Sequence, residues 1–234
     1  MKRLYSIILL ILSVVLANAQ GSGFGYMIDL GGSTFSQATT EYNQVIRSIA
    51  QNGFIRIHSP SGYNALQLMV GYKKERIPFR NYSDFLSADG NRMLQYNTDA
   101  QLRREAWKFC VIHQLQYGQM PGKFMYSINT GLFYEHTTRL TRNENNGDIT
   151  YYLHNELVPN NLGFILGAEV RFEWFTIGYK MEKLFRDVLN HDYILSQELN
   201  LTNSTELRGI RLNPWMHYLC LGFNIDFFQR RKSK

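Results

Sequence analysis

The chain has 234 residues, of which 14% are aromatic, and a formal net charge of +6 at pH 7. Beyond residue 19 the sequence has no apolar run of the ~20 residues that a membrane-spanning helix needs, which excludes a helical membrane protein. The positive charge would allow a nucleic-acid partner, but the chain starts with an export signal, and an exported protein does not ordinarily meet nucleic acid.

Residues 1–19 are predicted to be a cleavable signal peptide. Two basic residues precede an apolar run, and the Ala-Asn-Ala of 17–19 is a small-x-small cleavage site, which is the layout of a secretory signal. The apolar run is too short for a spanning helix, which disfavours an N-terminal anchor. We expect cleavage before Gln20 and a single domain over residues 20–234.

Period-2 alternation is the main structural signal after the cleavage site. Successive side chains of a strand point to opposite faces, and here one face is apolar and aromatic while the other is polar or Gly-rich. Most alternating runs reach the ~9–11 residues of a transmembrane strand, more than the ~5–6 typical of soluble strands. The runs cover 24–31, 66–75, 107–117, 124–135, 162–172, 174–182 and 215–227, with a weaker run at 54–58.

The first connection is predicted to contain a short helix over 39–51. A threonine could cap its start and Gly53 could end it, and an apolar stripe at helical spacing runs along it. The stripe consists of Tyr42, Val45, Ile46 and Ile49. We expect it to pack on the rim of the fold or in its mouth.

Connection lengths predict how the strands are arranged. The odd connections are long (35–52, 78–103, 141–160, 187–213) and the even ones are short (59–64, 118–123, 172–174). An outer-membrane barrel with both termini in the periplasm has this parity, because its odd connections face outside. We therefore predict an all-β fold, an eight-stranded antiparallel up-and-down transmembrane β-barrel with long extracellular loops and short periplasmic turns, in the outer membrane of a Gram-negative cell.

Such a barrel would turn its polar faces, and their charges, inward. Eight strands give a backbone diameter of about 16 Å, which side chains can fill, so the interior is predicted to be closed and not an open pore. The opposite charges indicate a structural lumenal network, with a binding site as the alternative. Its members are Glu135, Glu169, Arg171, Lys180, Glu182 and Asp226.

The cysteines and histidines do not indicate a reactive centre. Cys110 and Cys220 fall on the fourth and eighth strands, on opposite walls, whereas bridged Cα atoms lie within about 7 Å, so two free thiols are predicted. The six histidines are scattered without the paired Cys/His spacing of a zinc site. The sequence therefore predicts no metal, no cofactor, no catalytic residues and no enzymatic activity.

Four stretches resemble an outer-membrane β-barrel family labelled porin-family or PorT-like. They are 104–117 with the turn after it, Phe124-Met-Tyr-Ser-Ile-Asn-Thr-Gly131, Leu162-Gly-Phe-Ile-Leu-Gly-Ala-Glu-Val-Arg171 and Leu221-Gly-Phe-Asn-Ile-Asp-Phe227. The resemblance covers the C-terminal half better than the N-terminal third, and its motifs concern the barrel rather than an active site. The chain departs from the pattern by ending in a polar tail after Phe228.

Three functions are weighed. The first is a structural or binding barrel, whose partners are the lipid bilayer and other envelope proteins that contact its long loops or periplasmic turns. The second, which the resemblance allows, is an accessory component of an outer-membrane secretion or assembly machine. The third and least favoured is a lipid-modifying barrel enzyme.

Overall fold

The computed structural model describes residues 21–36, 43–59, 61–86, 92–118, 124–144, 150–152, 157–190, 192 and 214–228. The predicted signal peptide and its cleavage site lie outside these residues. The strands are β1 (Gly21–Ser36), β2 (Asn43–His58), β3 (Asn64–Leu86), β4 (Arg92–Gly118), β5 (Phe124–Glu144), β6 (Thr150–Tyr152), β7 (Asn160–Phe172), β8 (Phe175–Leu184) and β9 (Met216–Phe228). The three residues of β6 pair only with the far end of β5.

The other eight strands close into an antiparallel barrel. β1 pairs with both β2 and β9, and β4 pairs with β5, so the ladder is continuous around the described strands. Tracing paired residues once around from Gly32 leads back to β1 at Ser22, a stagger of ten residues (32 to 22). This stagger over eight strands sets a strand tilt of about 40° and a backbone diameter of about 16 Å.

The faces of the barrel are inverted relative to a soluble protein. Outward apolar side chains are widely exposed, with Leu132 at 60% and Ile55 at 55%, whereas the inward Arg56, Lys108 and Glu135 are fully buried. Exposed apolar area on this scale marks an interacting surface, and in a closed barrel it is the lipid-facing surface. This apolar belt includes Phe24, Ile28, Leu30, Ile55, Val70, Phe109, Val111, Ile128, Leu132, Leu162, Leu166, Ile177, Leu219 and Phe223.

Aromatic side chains edge the belt at both ends, as they do in transmembrane barrels. At the end that holds the chain termini, the exposed aromatic residues are Tyr63, Tyr117, Phe124, Tyr126, Phe172 and Trp174. At the opposite end they are Trp107, Tyr134, Phe185 and Trp215. Indole and phenol rings suit such positions, because one part of the ring system is apolar and the other is polar.

The helix predicted over 39–51 is wrong. β2 begins at Asn43 and pairs with β1 along its whole length, and residues 37–42 lie outside the described part of the chain. Val45 and Ile49 face outward while Ile46 is buried inside. The apolar residues of this segment fit either one stripe of a helix or a strand that is apolar on both faces. The segment forms a strand because its backbone pairs with β1. No helix among the described residues is long and apolar enough to cross a membrane.

Three of the predicted long loops are partly strand, and in the third of them, 141–160, the end of β5 pairs with β6. β3 and β4 remain paired from Ile77 and Leu102 to Leu86 and Arg92, which leaves only 87–91 as the connection. β1 and β2 likewise extend to Ser36 and Asn43. Beyond the membrane neither face of a hairpin meets lipid, so the alternation that reveals strands is lost there. The first and third connections are therefore as short as the even ones, but their strands extend beyond the apolar belt. The opposite end, where the strands are joined by short turns at the edge of the belt, is the periplasmic end.

The inverted surface predicts that Leu132→Arg will strongly destabilise the barrel. Leu132 lies mid-belt, beside Val111 and Phe164, and an arginine facing lipid near the bilayer midplane costs about 2–4 kcal/mol. Urea unfolding of the protein in phospholipid vesicles measures this cost. Tyr117→Arg, at the periplasmic edge of the belt, is the control and should cost at most about 1 kcal/mol. Equal unfolding midpoints for the two variants would contradict a lipid-facing Leu132.

Candidate functional site in the barrel interior

Charged side chains inside the barrel form three clusters along its axis. Among the described side chains, the fully or nearly buried charges comprise six cations and five carboxylates, so the interior is close to neutral. The extracellular cluster consists of Lys73, Glu75, Arg104 and Glu135. The central cluster consists of Asp29, Lys108, Lys180 and Glu182. The periplasmic cluster consists of Arg56, Gln67, Gln114 and Glu169.

The extracellular cluster joins β3, β4 and β5. Arg104 Nη1 donates a hydrogen bond to Glu75 Oε2 at 2.7 Å, and Lys73 Nζ lies 3.2 Å from Glu75 Oε1. Glu135 forms ion pairs with both cations. Alternate positions of one strand point to the same side, which is why Lys73 and Glu75 meet here. The cluster pairs two cations with two carboxylates, so the cluster itself carries no net charge.

The central cluster joins β1, β4 and β8. Glu182 accepts a hydrogen bond from Lys108 Nζ at 2.6 Å and lies 3.0 Å from Lys180 Nζ. Lys180 also pairs with Asp29, whose Oδ2 accepts a hydrogen bond from Asn52 Nδ2 at 2.6 Å. Each carboxylate thus has charged donors, which buried charges require to offset their desolvation.

The periplasmic cluster spans the full width of the barrel. Arg56 Nη2 donates to Glu169 Oε1 at 2.9 Å and to Gln67 Oε1 at 2.9 Å. Gln114 Nε2 donates to the same Glu169 oxygen at 3.1 Å. β2 and β7, which carry Arg56 and Glu169, are four strands apart in either direction around the barrel. This ion pair links opposite walls of the barrel directly across its interior.

Two aromatic rings lie inside the barrel between the clusters. Phe133 is 2% exposed and Tyr218 is 1% exposed, and the Lys108 ammonium lies within 6.0 Å of both ring centroids. A Cβ at Gly163 would lie 2.4 Å from Phe133 Cζ, so this position admits the ring only because it is glycine. Among the described residues, a small interior cavity lies near each end cluster, and each has about 20 Å³ of space, which is room for about one water molecule.

The predicted charge network lies inside the barrel. Five predicted residues, Glu135, Glu169, Arg171, Lys180 and Glu182, are buried there. The sixth, Asp226, pairs through its backbone with Gly23, and its side chain lies outside the described part. If the period-2 alternation is applied to every strand, it identifies most of the buried charged residues that the prediction omitted. It does not identify Arg56, because the sequence of β2 does not alternate clearly. The omitted members are Asp29, Arg56, Lys73, Glu75, Arg104 and Lys108.

The cysteines and histidines take part in no recognisable reactive centre within the described residues. Cys110 and Cys220 are free and buried, which confirms the predicted pair of thiols. His58 Nδ1 lies 3.1 Å from Gln116 Oε1, and His217 Nδ1 lies 2.5 Å from the Tyr179 hydroxyl. No group of three His, Cys, Asp or Glu side chains among these residues could hold a metal ion.

A closed antiparallel barrel with an apolar belt outside and paired charges inside is the architecture of an outer-membrane β-barrel. The chain is therefore an outer-membrane β-barrel protein located in the cell outer membrane. No protein-family model matches the chain, and no curated protein matches it.

Similar solved structures are outer-membrane proteins. Neisserial surface protein A shares 11% identity with a TM-score of 0.41, covering 89% of this chain and 98% of its own. Ail of Yersinia pestis shares 11% with a TM-score of 0.37, covering 89% and 99%. The N-terminal barrel domain of Pseudomonas aeruginosa OprF shares 13% with a TM-score of 0.32, covering 88% and 100%. Similarity at this level carries no inference about function. The assignment of the fold as a barrel rests on the pairing of its own strands.

Removing one member of the cross-barrel pair should destabilise the fold. Arg56→Met leaves the buried Glu169 carboxylate without its charged partner, which costs about 3–5 kcal/mol. Equilibrium unfolding in detergent micelles measures the loss. Adding Glu169→Gln to Arg56→Met should restore much of it, because the remaining group is then neutral. Arg47→Met, an exposed arginine on the same strand, is the control with little expected effect. If the two substitutions lowered the free energy of unfolding by amounts that simply add, direct coupling between Arg56 and Glu169 would be refuted.

Proposed function

We propose that the protein is a closed, non-enzymatic outer-membrane barrel of structural or binding type. The ion pair between Arg56 and Glu169, on opposite walls of the interior, is the observation that carries this proposal. A solute on the barrel axis would have to break that pair, and the separation of a buried pair costs several kcal/mol. The central cluster and the rings of Phe133 and Tyr218 add further barriers. The interior side chains therefore link opposite walls of the barrel and do not form a pathway for solutes.

Binding is proposed to occur on the extracellular side. The paired backbone of β3 and β4 continues well past the apolar belt to Leu86 and Arg92. A rigid scaffold that displays loops or hairpins outside the membrane is a common basis for recognition. Other envelope proteins are the proposed partners. Affinity purification from the native membrane, with and without residues 82–96, tests this; a partner lost only from the shortened protein would support the hairpin as the contact.

Membership of the porin-family or PorT-like barrels is proposed on the sequence resemblance. The four stretches that carry it fall on β4, β5, β7 and β9. β4, β5 and β7 are neighbours in the barrel, and β9 lies beyond β8. An accessory role in a secretion or assembly machine would follow from this family. Copurification of envelope secretion subunits after gentle detergent extraction tests that role.

The native thiols test whether the interior is closed. Cys110 and Cys220 point into the middle of the barrel and are each 3% exposed. A membrane-impermeant maleimide should therefore leave both thiols unlabelled in the folded protein and label both after unfolding. Intact-mass measurement counts the labels. Ser61→Cys, in an exposed periplasmic turn, is the positive control and should be labelled without unfolding.

Conductance gives an independent test of the closed interior. The folded protein in a planar bilayer is expected to show no stable single-channel currents. Stable channels, together with labelling of Cys110 and Cys220 in the folded state, would overturn the closed-barrel proposal.

A further inference from the structure

An outward-facing row of arginines crosses three adjacent strands at the extracellular rim. Arg47 on β2 is paired with Arg76 on β3, and Arg76 is paired with Arg103 on β4. All three side chains are exposed. Directly paired residues have Cβ atoms ~4.5–5.5 Å apart, and like charges in that position are destabilising. A negative charge beside the row would relieve this repulsion.

The protein supplies little of that charge around the row. Among the described side chains of this patch, Glu105 is the one carboxylate, and it is already engaged. Its Oε2 accepts a hydrogen bond from the Tyr72 hydroxyl at 2.7 Å, and its Oε1 lies 4.0 Å from Lys74 Nζ. Lys74 is itself 65% exposed and adds to the positive charge beside the row. Among the described residues, no carboxylate is paired with Arg47 or Arg76. Arg103 Nε donates a hydrogen bond to Gln101 Oε1 at 3.1 Å, which is a neutral partner.

A β-bulge concentrates further positive charge here. The register between β4 and β5 shifts between Glu105 and Ala106, which inserts Thr138 and turns both Thr138 and Arg139 outward. Bulges commonly re-aim side chains at the rims of barrels. Arg139 thus lies on the outer face opposite Glu105, beside the arginine row.

The position of the row relative to the membrane identifies its surroundings. Tyr72 and Trp107 form the extracellular edge of the apolar belt, with ring centroids 5.2 Å apart. Arg76 and Arg103 are each four residues further along their strands, or about 10 Å further outward along the barrel axis. Bilayer headgroups extend about 5–8 Å beyond the hydrocarbon on each side, so the backbone of the row lies at the outer boundary of the headgroup zone. The long arginine side chains reach from there to the headgroups of the outer leaflet.

We propose that this row binds the phosphate groups of a phosphorylated glycolipid in the outer leaflet. Guanidinium groups bind phosphate through two parallel hydrogen bonds, and three of them in register span about 10 Å, enough for more than one phosphate. The acyl chains of the same lipid would lie along the belt below, against Ile49 and Trp107, which are 52% and 45% exposed. The site combines anion recognition and apolar contact in the order in which a lipid presents them.

Lipid binding by purified protein tests the proposal. The probes are bisphosphorylated lipid A and the same glycolipid with both phosphates removed, measured by native mass spectrometry in a non-ionic detergent. Wild type should bind the phosphorylated form about tenfold or more tightly than the other, and Arg47→Gln/Arg76→Gln should lose most of this preference. Arg76→Lys should give an intermediate loss, because it keeps the charge but not the two-pronged donor.

A matched control removes two charges from the other side of the same rim. Lys183→Gln/Arg186→Gln changes residues that end β8 and follow it, and it should bind lipid A within about twofold of wild type. An equal loss in both double variants would reduce the effect to general charge attraction and overturn the site. Equal binding of both glycolipids by wild type would also overturn it, as would binding of inorganic phosphate as tightly as lipid A.

Thermal unfolding gives a second test, because the double substitution should affect the unfolding temperature in opposite directions without and with phosphorylated lipid. Without phosphorylated lipid, Arg47→Gln/Arg76→Gln should unfold at the same temperature as wild type or higher, because repulsion within the row is relieved. With lipid A, wild type should gain more in Tm than the variant, since a ligand stabilises the state that binds it. An equal gain in Tm for the two proteins would contradict the proposal.

Discussion

Closure of the hydrogen-bonded ladder between β1 and β9 is the constraint on which the rest of the structure depends. In hydrocarbon no water can satisfy an unpaired backbone N–H or C=O, so a sheet survives there only without an open edge. Closing eight strands with a stagger of ten residues sets the tilt and the radius together. That radius is small enough for a side chain on β2 to reach one on β7, and the Arg56–Glu169 pair follows from it.

The composition of the barrel interior is a consequence of the membrane around the barrel. Because the outward face must be apolar, the inward face receives the polar residues, and a narrow lumen forces them together away from bulk water. Buried charges are stable there when they are paired with opposite charges. The clusters meet this condition through alternation along single strands, as with Lys73 and Glu75, and through contacts across the barrel, as with Lys108 and Glu182. The result is a braced interior.

The outer surface of the barrel is divided into layers along the barrel axis. The apolar belt faces acyl chains, aromatic rings mark its two edges, and the arginine row lies beyond the extracellular edge. Each layer matches one zone of a bilayer. A barrel braced inside and matched to lipid outside can carry the long β3–β4 hairpin without rearrangement of its membrane-spanning part. Under the proposed function, recognition and membrane anchoring would therefore use different parts of the fold.

The sequence by itself determined the barrel, because lipid imposes a period-2 pattern on each strand that crosses it, and the alternation found the belt and five buried members of the charge network. It failed where lipid does not impose the pattern. Residues 39–51 fit a helical stripe, and the outer parts of β3 and β4 read as loops, since a hairpin outside the membrane has no apolar face. Only tertiary structure decided that Arg56 meets Glu169 and that Arg47, Arg76 and Arg103 stand in one row, because strand register and barrel radius bring together residues that are far apart in the chain.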